Sequence, residues 1–390
     1  MHYKDSRLNA KEWILSGRII HPAYIKARRS VVSPNTFNMA TSETMKAVVY
    51  TGGTEAFLED RPKPTIVEPT DAIVRLTTAA ICGTDLHILK GDVPTCKPGT
   101  VLGHEGVGII SSVGSAVKAF KTGDRVVVSC ITSCLTCRFC RRGIPSHCLS
   151  GGWLLGNTID GVQAEFARIP HADGSLFLAP DAEGITEKDL VMVSDVLPTS
   201  LECGVQNGRV EPGKTVAVIG AGPVGLGAVI NAQLYSPRMV IVIDLDTNRL
   251  EKAKDFGATH TVQSGPGAVE EVMRLTGGDG VDVVIEAVGI PPTFALCQEI
   301  VAVGGNIANL GVHGKKVDLH LEKLWNRNIT ITTRNCDAVT SGMILKLIES
   351  GKLRAGNLVT HAYNMESVLD AYATFTAAAK TNALKVLLEF

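Results

Sequence analysis

Residues 216–229 read VAVIGAGPVGLGAV, an apolar strand-like run that breaks at glycine and resumes as a helix-like one. The break carries Gly220-x-Gly222-x-x-Gly225. Such a triplet matches many tight turns by chance, so the flanks decide: a strand must precede it and a helix must follow. Both are present. In that setting each glycine has its own duty: Gly220 permits the turn, Gly222 lets backbone amides approach a pyrophosphate, and Gly225 lets helix and strand pack closely. The helix N-terminus then faces the anion. The stretch predicts a dinucleotide-binding turn.

The next apolar run, MVIVIDLD, ends at Asp244, about twenty residues on, where the same fingerprint places a ribose-binding acid. A carboxylate there accepts hydrogen bonds from ribose hydroxyls and repels a 2′-phosphate, which favours NAD over NADP. Asp246 is the fallback acid if Asp244 caps the following turn instead, and Arg249 is near enough to dilute the preference. Beyond them, helix-like NRLEKAKDFGA and strand-like VDVVIEAVG and GGNIANLGV continue an alternation that predicts an α/β doubly wound parallel sheet over residues 197–334. Glu286, Gly289 and Gly311 fall at strand ends of that sheet, where cofactors bind.

Upstream the rhythm is different. KAVVY, DAIVRLTTAAI, VGIISSVG and DRVVVSC are short β-branched runs split by Gly, Pro and Asp, as in a partly closed barrel. The tail adds helix-like MILKLIESGK and SVLDAYATFTAAAK and closes on strand-like ALKVLLEF. A chain of 390 residues is too long for one typical core, so two domains are expected.

Composition narrows the class. With 45% hydrophobic and 20% charged residues this is an ordinary globular chain. No apolar run approaches the length of about eighteen residues needed to span a bilayer. A net charge of −1 leaves no electrostatic footprint for nucleic acid or an acidic membrane. Residues 1–44 are more basic than the remainder, ending their basic part at Arg28-Arg29. Two readings of them stand side by side: a mitochondrial transit peptide, or a segment without a targeting role, either a disordered extension or an upstream start with translation beginning at Met39 or Met45.

Five of the ten cysteines fall in CITSCLTCRFCRRGIPSHC, residues 130–148. Cys134, Cys137, Cys140 and Cys148 have the spacing of a closed, four-thiolate zinc site built from one loop. Disulfides between residues three apart are geometrically awkward. Arg138, Arg141 and Arg142 would offset the surplus negative charge, and Cys130, outside the spacing, is expected to be a buried strand cysteine. A second set is weaker by itself. CGTDLHILKG starts at Cys82 and LGHEGVG surrounds His104, but a lone Cys and a lone His are usually core residues. Asp195, in VMVSDVLPTS, looks like one more helix cap.

Taken together, CGTDLH, GHEGVG, the four-cysteine lobe and VIGAGPVG resemble the zinc-dependent medium-chain alcohol dehydrogenases in order and spacing, from Met45 to Phe390. GGWLLGNTIDGVQAEF and SDVLPTS look most like the bacterial tetrameric branch that acts on small secondary alcohols. The resemblance implies a β-rich GroES-like catalytic domain over residues 45–196 and 335–390 around a Rossmann domain at 197–334. It implies two Zn²⁺ per chain: a structural ion in the lobe and a catalytic one held by Cys82, His104 and Asp195, with an open fourth position. Glu105 matches a second-sphere acid, and Asp85 the acid that fixes the His104 tautomer. Thr84 and His87 match a proton relay, Trp153 a substrate-pocket tryptophan, and Lys385 a basic residue directed at the pyrophosphate. It further implies NAD, a small alcohol or carbonyl substrate, and a homotetramer with a dimer as runner-up; the charge balance points to no nucleic-acid or membrane partner, and the clustered cysteines and basic extension to a cytoplasmic or mitochondrial matrix enzyme. A polyol or threonine dehydrogenase, or a non-catalytic dinucleotide-binding relative, are the alternatives.

Overall fold

The structure, a computed structural model, describes residues 43–390, which pack as one compact unit. The expectations for the basic extension lie outside the described residues, apart from its last two positions.

Among the described residues, fifteen strands form three sheets. β1 (Thr44–Tyr50) and β2 (Ala56–Pro62) make an antiparallel pair. β3 (Ala72–Ile81), β4 (Gly106–Val113), β5 (Arg125–Val128), β6 (Phe166–Ile169) and β7 (Leu176–Leu178) build most of a mixed sheet. β8 (Thr215–Ile219), β9 (Met239–Asp244), β10 (His260–Gln263), β11 (Val281–Glu286), β12 (Val301–Asn309) and β13 (Thr330–Thr333) form a second sheet. Finally β14 (Val359–Asn364) and β15 (Lys385–Glu389) return to the mixed sheet, where β15 pairs with β3.

The six-stranded sheet runs β10-β9-β8-β11-β12-β13, and every pair in it is parallel. Strands buried on both faces read as continuous apolar runs, which is why TVAVI and MVIVID do not alternate with polar residues. Alternate residues nevertheless serve different cores. Val216, Val218, Val240, Val242, Val283 and Ile285 pack into one cluster; Ala217, Ile219, Ile241, Ile243 and Val284 pack into another. Two cores on one parallel sheet are the doubly wound arrangement. Its order reverses between β8 and β11, and the glycine turn sits at that switch point, where open α/β sheets bind ligands.

The mixed sheet runs β14-β15-β3-β4-β5-β7, with β6 paired to β3. Its β3–β4 pairing places Ala79 opposite Gly106, which brings the residues after β3 beside those before β4. Cys130 lies two residues beyond the end of β5, buried in a loop and not in a strand. No helix among the described residues is long and apolar enough to cross a membrane.

Candidate active site

Cys82 is the N-cap of the helix Gly83–Leu89, which begins as β3 ends. His104 and Glu105 directly precede β4, and the Ala80 N–H donates to the Glu105 carbonyl at 3.0 Å. Asp195 arrives from far along the chain. The hydroxyl of its neighbour Ser194 accepts from the Gly106 N–H at 3.2 Å and donates to the Gly106 carbonyl at 3.1 Å, clipping the segment to the start of β4. One ligand atom each from Cys82, His104, Glu105 and Asp195 then lies within 4.8 Å of the others.

These spacings suit a tetrahedral zinc ion. Bond lengths of about 2.0–2.3 Å give ligand–ligand edges of about 3.4 Å for N···O and about 3.6 Å for S···O. His104 Nε2 stands 3.5 Å from Asp195 Oδ2, and Cys82 Sγ stands 3.8 Å from the same oxygen. Asp195 is the N-cap residue of the helix Val196–Thr199, yet its side chain makes no cap bond. Its carboxylate accepts instead from the Thr199 hydroxyl at 2.5 Å and turns its other oxygen to Cys82 and His104. Electrostatics agree with that placement. Burial works to raise the Asp195 pKa, but His104 and the Thr199 hydroxyl outweigh it and hold the acid well below the usual carboxylate range. Burial works to lower the His104 pKa, but Asp195 and Cys82 raise it well above the usual histidine value. One thiolate, one carboxylate and one imidazole also neutralise a dication.

The neighbouring residues are placed less simply. Asp85 is buried, and its Oδ2 accepts from the Cys82 N–H at 2.9 Å and the Gln163 side-chain amide at 3.0 Å. No hydrogen bond joins Asp85 to His104, and through Oδ2 Asp85 also closes the capping box of its own helix. Asp85 Oδ1 and His104 Nδ1 are both buried without partners, an acceptor and a ring nitrogen of complementary character. Burial raises the Asp85 pKa, and His104 works against it. Thr84 Oγ1 lies 3.5 Å from Cys82 Sγ, and the exposed His87 pairs through Nδ1 with Asp92 at 2.9 Å. Trp153 stands edge-on to the His104 ring, centroids 6.1 Å apart, and its Nε1 is buried without an acceptor.

Lys385 departs from expectation. It opens β15, which pairs with the end of β3, and its Nζ is buried against Glu105 Oε1 at 2.5 Å. The ammonium is engaged by Glu105 in the structure, beside the trio and not free toward the glycine turn. Burial works to lower the Lys385 pKa, but Glu105 and Cys82 raise it. Sequence reasoning missed Gln163, which links Asp85 to the Tyr372 hydroxyl at 2.8 Å, although GVQAEF carries it. It missed Glu202, which accepts from the N–H groups of Asp337 and Thr340. It also passed over Cys336, which joins Cys130 near Asp195.

The lobe cysteines converge. Their Sγ atoms lie within 4.8 Å of one another, with Cys137–Cys140 at 3.5 Å, Cys134–Cys140 at 3.9 Å and Cys137–Cys148 at 4.0 Å, against about 3.8 Å for a tetrahedral four-thiolate zinc. No cysteine among the described residues is in a disulfide. Burial works to raise the Cys134 thiol, but the Thr136 and Cys137 N–H groups, the Thr136 hydroxyl and Cys148 lower it to about 5. Burial and the neighbouring Cys137 and Cys148 push Cys140 up to about 11. Such a split among crowded thiols is what a shared cation removes.

At the glycine turn, Gly220 has φ +99°, and a Cβ on Gly225 would lie 1.9 Å from the Gly220 carbonyl oxygen. Around Gly222 only the Arg249 guanidinium comes within 4 Å of a built Cβ. Asp244 accepts from the Ala221 N–H at 2.6 Å and the Asp246 N–H at 2.8 Å, while Asp246 caps the following helix. Glu286, fully buried, accepts from the N–H groups of Val288 and Gly289.

Family models match both halves: an alcohol dehydrogenase GroES-like domain over residues 68–181 and a zinc-binding dehydrogenase domain over 223–346. An alcohol dehydrogenase from Cupriavidus necator is 36% identical over 366 residues, covering 88% of this chain and 98% of its own. The chain belongs to the zinc-type medium-chain alcohol dehydrogenases. The solved structure of zinc dependent alcohol dehydrogenase 2 from Streptococcus pneumonia superposes with TM-score 0.84 at 50% identity, covering 88% of this chain and 98% of that one. A sorbitol dehydrogenase from Bacillus subtilis is 31% identical, covering 84% and 93%. As an alcohol dehydrogenase of this family, the enzyme interconverts alcohols and carbonyl compounds with zinc and a nicotinamide cofactor.

Proposed function

We propose that the enzyme oxidises small primary or secondary alcohols with NAD⁺ and reduces the matching carbonyls, with one catalytic and one structural zinc per chain. The convergence of Cys82, His104 and Asp195 at tetrahedral spacing carries this reading. Bound zinc supplies the Lewis acidity that makes an alcohol ionise near neutrality, and nicotinamide supplies the hydride acceptor.

The chain's own groups do the rest. Thr84 accepts the hydroxyl proton, and His87, at the exposed end of the same helix, exchanges it with solvent. Glu105 and Lys385 hold the charge balance behind the ligands. Trp153 walls the substrate side. Asp244, set by two N–H groups at the end of β9, leaves its outer face for ribose hydroxyls and disfavours a 2′-phosphate. The four lobe cysteines hold the structural ion. The catalytic domain comprises residues 45–196 and 335–390, the cofactor domain 197–334.

A polyol substrate is the second reading, supported by the buried Trp153 N–H, which a second substrate oxygen would satisfy, and by the sorbitol dehydrogenase relative. The enzyme is a homotetramer in this account, as the open edge at β13 and the exposed Trp325 and Val303 favour pairing with a second copy. Ten unpaired thiols fit a reducing compartment, cytoplasm or mitochondrial matrix. The test is initial rates of nicotinamide reduction over primary alcohols, secondary alcohols and polyols, with NAD⁺ and NADP⁺ in parallel. Turnover of small mono-alcohols with NAD⁺ is expected; turnover of polyols alone would favour the second reading, and preference for NADP⁺ would overturn the role of Asp244.

A further inference from the structure

A third group of metal-ligating side chains stands beside the catalytic trio: Cys130, Cys336 and Asp195, with one ligand atom each inside 4.8 Å. Both cysteines are buried, in an apolar cluster with Ile131, Cys203 and Ala338. Neither is free to drift. The Cys130 N–H donates to the Ser194 carbonyl at 3.0 Å, one residue from Asp195. Cys336 precedes Asp337, whose carboxylate accepts from the Arg334 guanidinium and from Ser146, and whose N–H donates to buried Glu202 at 2.8 Å. Two rigidly held thiols and a carboxylate are a soft donor set, suited to zinc or cadmium over magnesium or calcium. Asp195 keeps 14% of its side-chain exposure, while the two thiols lie buried behind it.

We propose that Cys130, Cys336 and Asp195 form a second, inhibitory site for a soft divalent cation, in which Asp195 is shared with the catalytic trio. On binding, the two thiols each lose a proton and form a sulfur–metal bond, with no oxidation or reduction. Two thiolates and part of a carboxylate neutralise the added charge. The sharing draws Asp195 away from the first ion and sets a second cation against it, so turnover falls. The inhibitory half of the proposal rests on Asp195 being a catalytic ligand; the binding half does not.

The test titrates cadmium into fully zinc-loaded enzyme. Thiolate-to-cadmium charge-transfer absorption, zinc released and NAD⁺ reduction are followed together, in wild type, Cys130→Ala, Cys336→Ala and the double variant. Expected are one added cadmium per chain without zinc release, loss of turnover in step with the absorption band, binding at least tenfold weaker in each single variant, and no band in the double variant. A band that survives in the double variant, or cadmium uptake matched by zinc release, would overturn the site, since the ion would then sit in the lobe or in the catalytic trio. The zinc-release arm uses wild type alone and decides the matter even if a variant folds poorly. Zinc content before titration reports the catalytic site separately. A band without inhibition would overturn the shared-ligand half.

Discussion

Replacing Lys385 by Met tests how the charges behind the catalytic ligands are balanced. The Lys385–Glu105 pair is almost wholly buried, with side-chain exposures of 2% and 0%. At the 2.5 Å separation its attraction is about 7 kcal/mol for an effective dielectric of about 20. Removing two ions from water costs several kcal/mol each, so the intact pair roughly breaks even. Breaking it does not. With methionine at 385, Glu105 is left as a buried carboxylate whose other oxygen already lacks a partner, and the expected loss is about 3–5 kcal/mol. Adding Glu105→Gln removes the orphaned charge, so the double variant should recover about 2 kcal/mol or more of that loss. The sign with pH follows from linkage. Without Lys385 the folded state holds a proton on Glu105 that the unfolded chain, with an ordinary carboxylate, has released. Stability therefore falls as pH rises above the unfolded value, and the deficit of the single variant should be smaller near about pH 5.5 than near about pH 8. Urea unfolding of the zinc-loaded variants at both pH values measures all of this. Additive losses in the double variant, or a deficit that grows on acidification, would refute the reasoning.

Other perturbations separate the parts of the account. Gly225→Ala puts a Cβ 1.9 Å from the Gly220 carbonyl oxygen, so the helix must move off the strand; a stability loss of about 2–3 kcal/mol and a KM for NAD⁺ raised at least tenfold are expected, and unchanged cofactor titration would contradict the packing role. Cys137→Ser should release one zinc per chain and lower the thermal midpoint, while kcat of the folded fraction changes little; full zinc content would count against a four-thiolate lobe. Asp244→Gly removes the acceptor of two turn N–H groups as well as the ribose partner, and the NAD/NADP ratio of kcat/KM should fall at least tenfold; an unaltered ratio would show that the acid reads nothing.

What the sequence made legible was local. The glycine triplet declared itself because strand, turn and helix are consecutive, and the lobe because four thiolates fall within fifteen positions, so spacing alone implies convergence. Asp195 was legible only through resemblance. Its place depends on the Ser194 clip to Gly106, 88 positions away, which no local pattern encodes. Lys385 shows the same limit: 280 positions separate it from Glu105, and only the pairing of β15 with β3 decides where its ammonium goes. Asp85 shows a local demand added to a distant one: the open N–H at its helix start takes Oδ2, while Oδ1 and His104 Nδ1 are both left without partners. Cys130 looked like a strand residue because it follows the apolar run Val126–Val128 with only Ser129 between, and nothing in that spacing marks the end of β5 at Val128.

The central claim is that Asp195 completes a catalytic zinc site with Cys82 and His104. Metal content and NAD⁺-dependent alcohol oxidation of purified Asp195→Ala enzyme, measured beside wild type, test it most directly. The account predicts two zincs per chain in wild type, one in the variant, and turnover reduced by several orders of magnitude with the lobe zinc retained. Two zincs and wild-type turnover in the variant would contradict it.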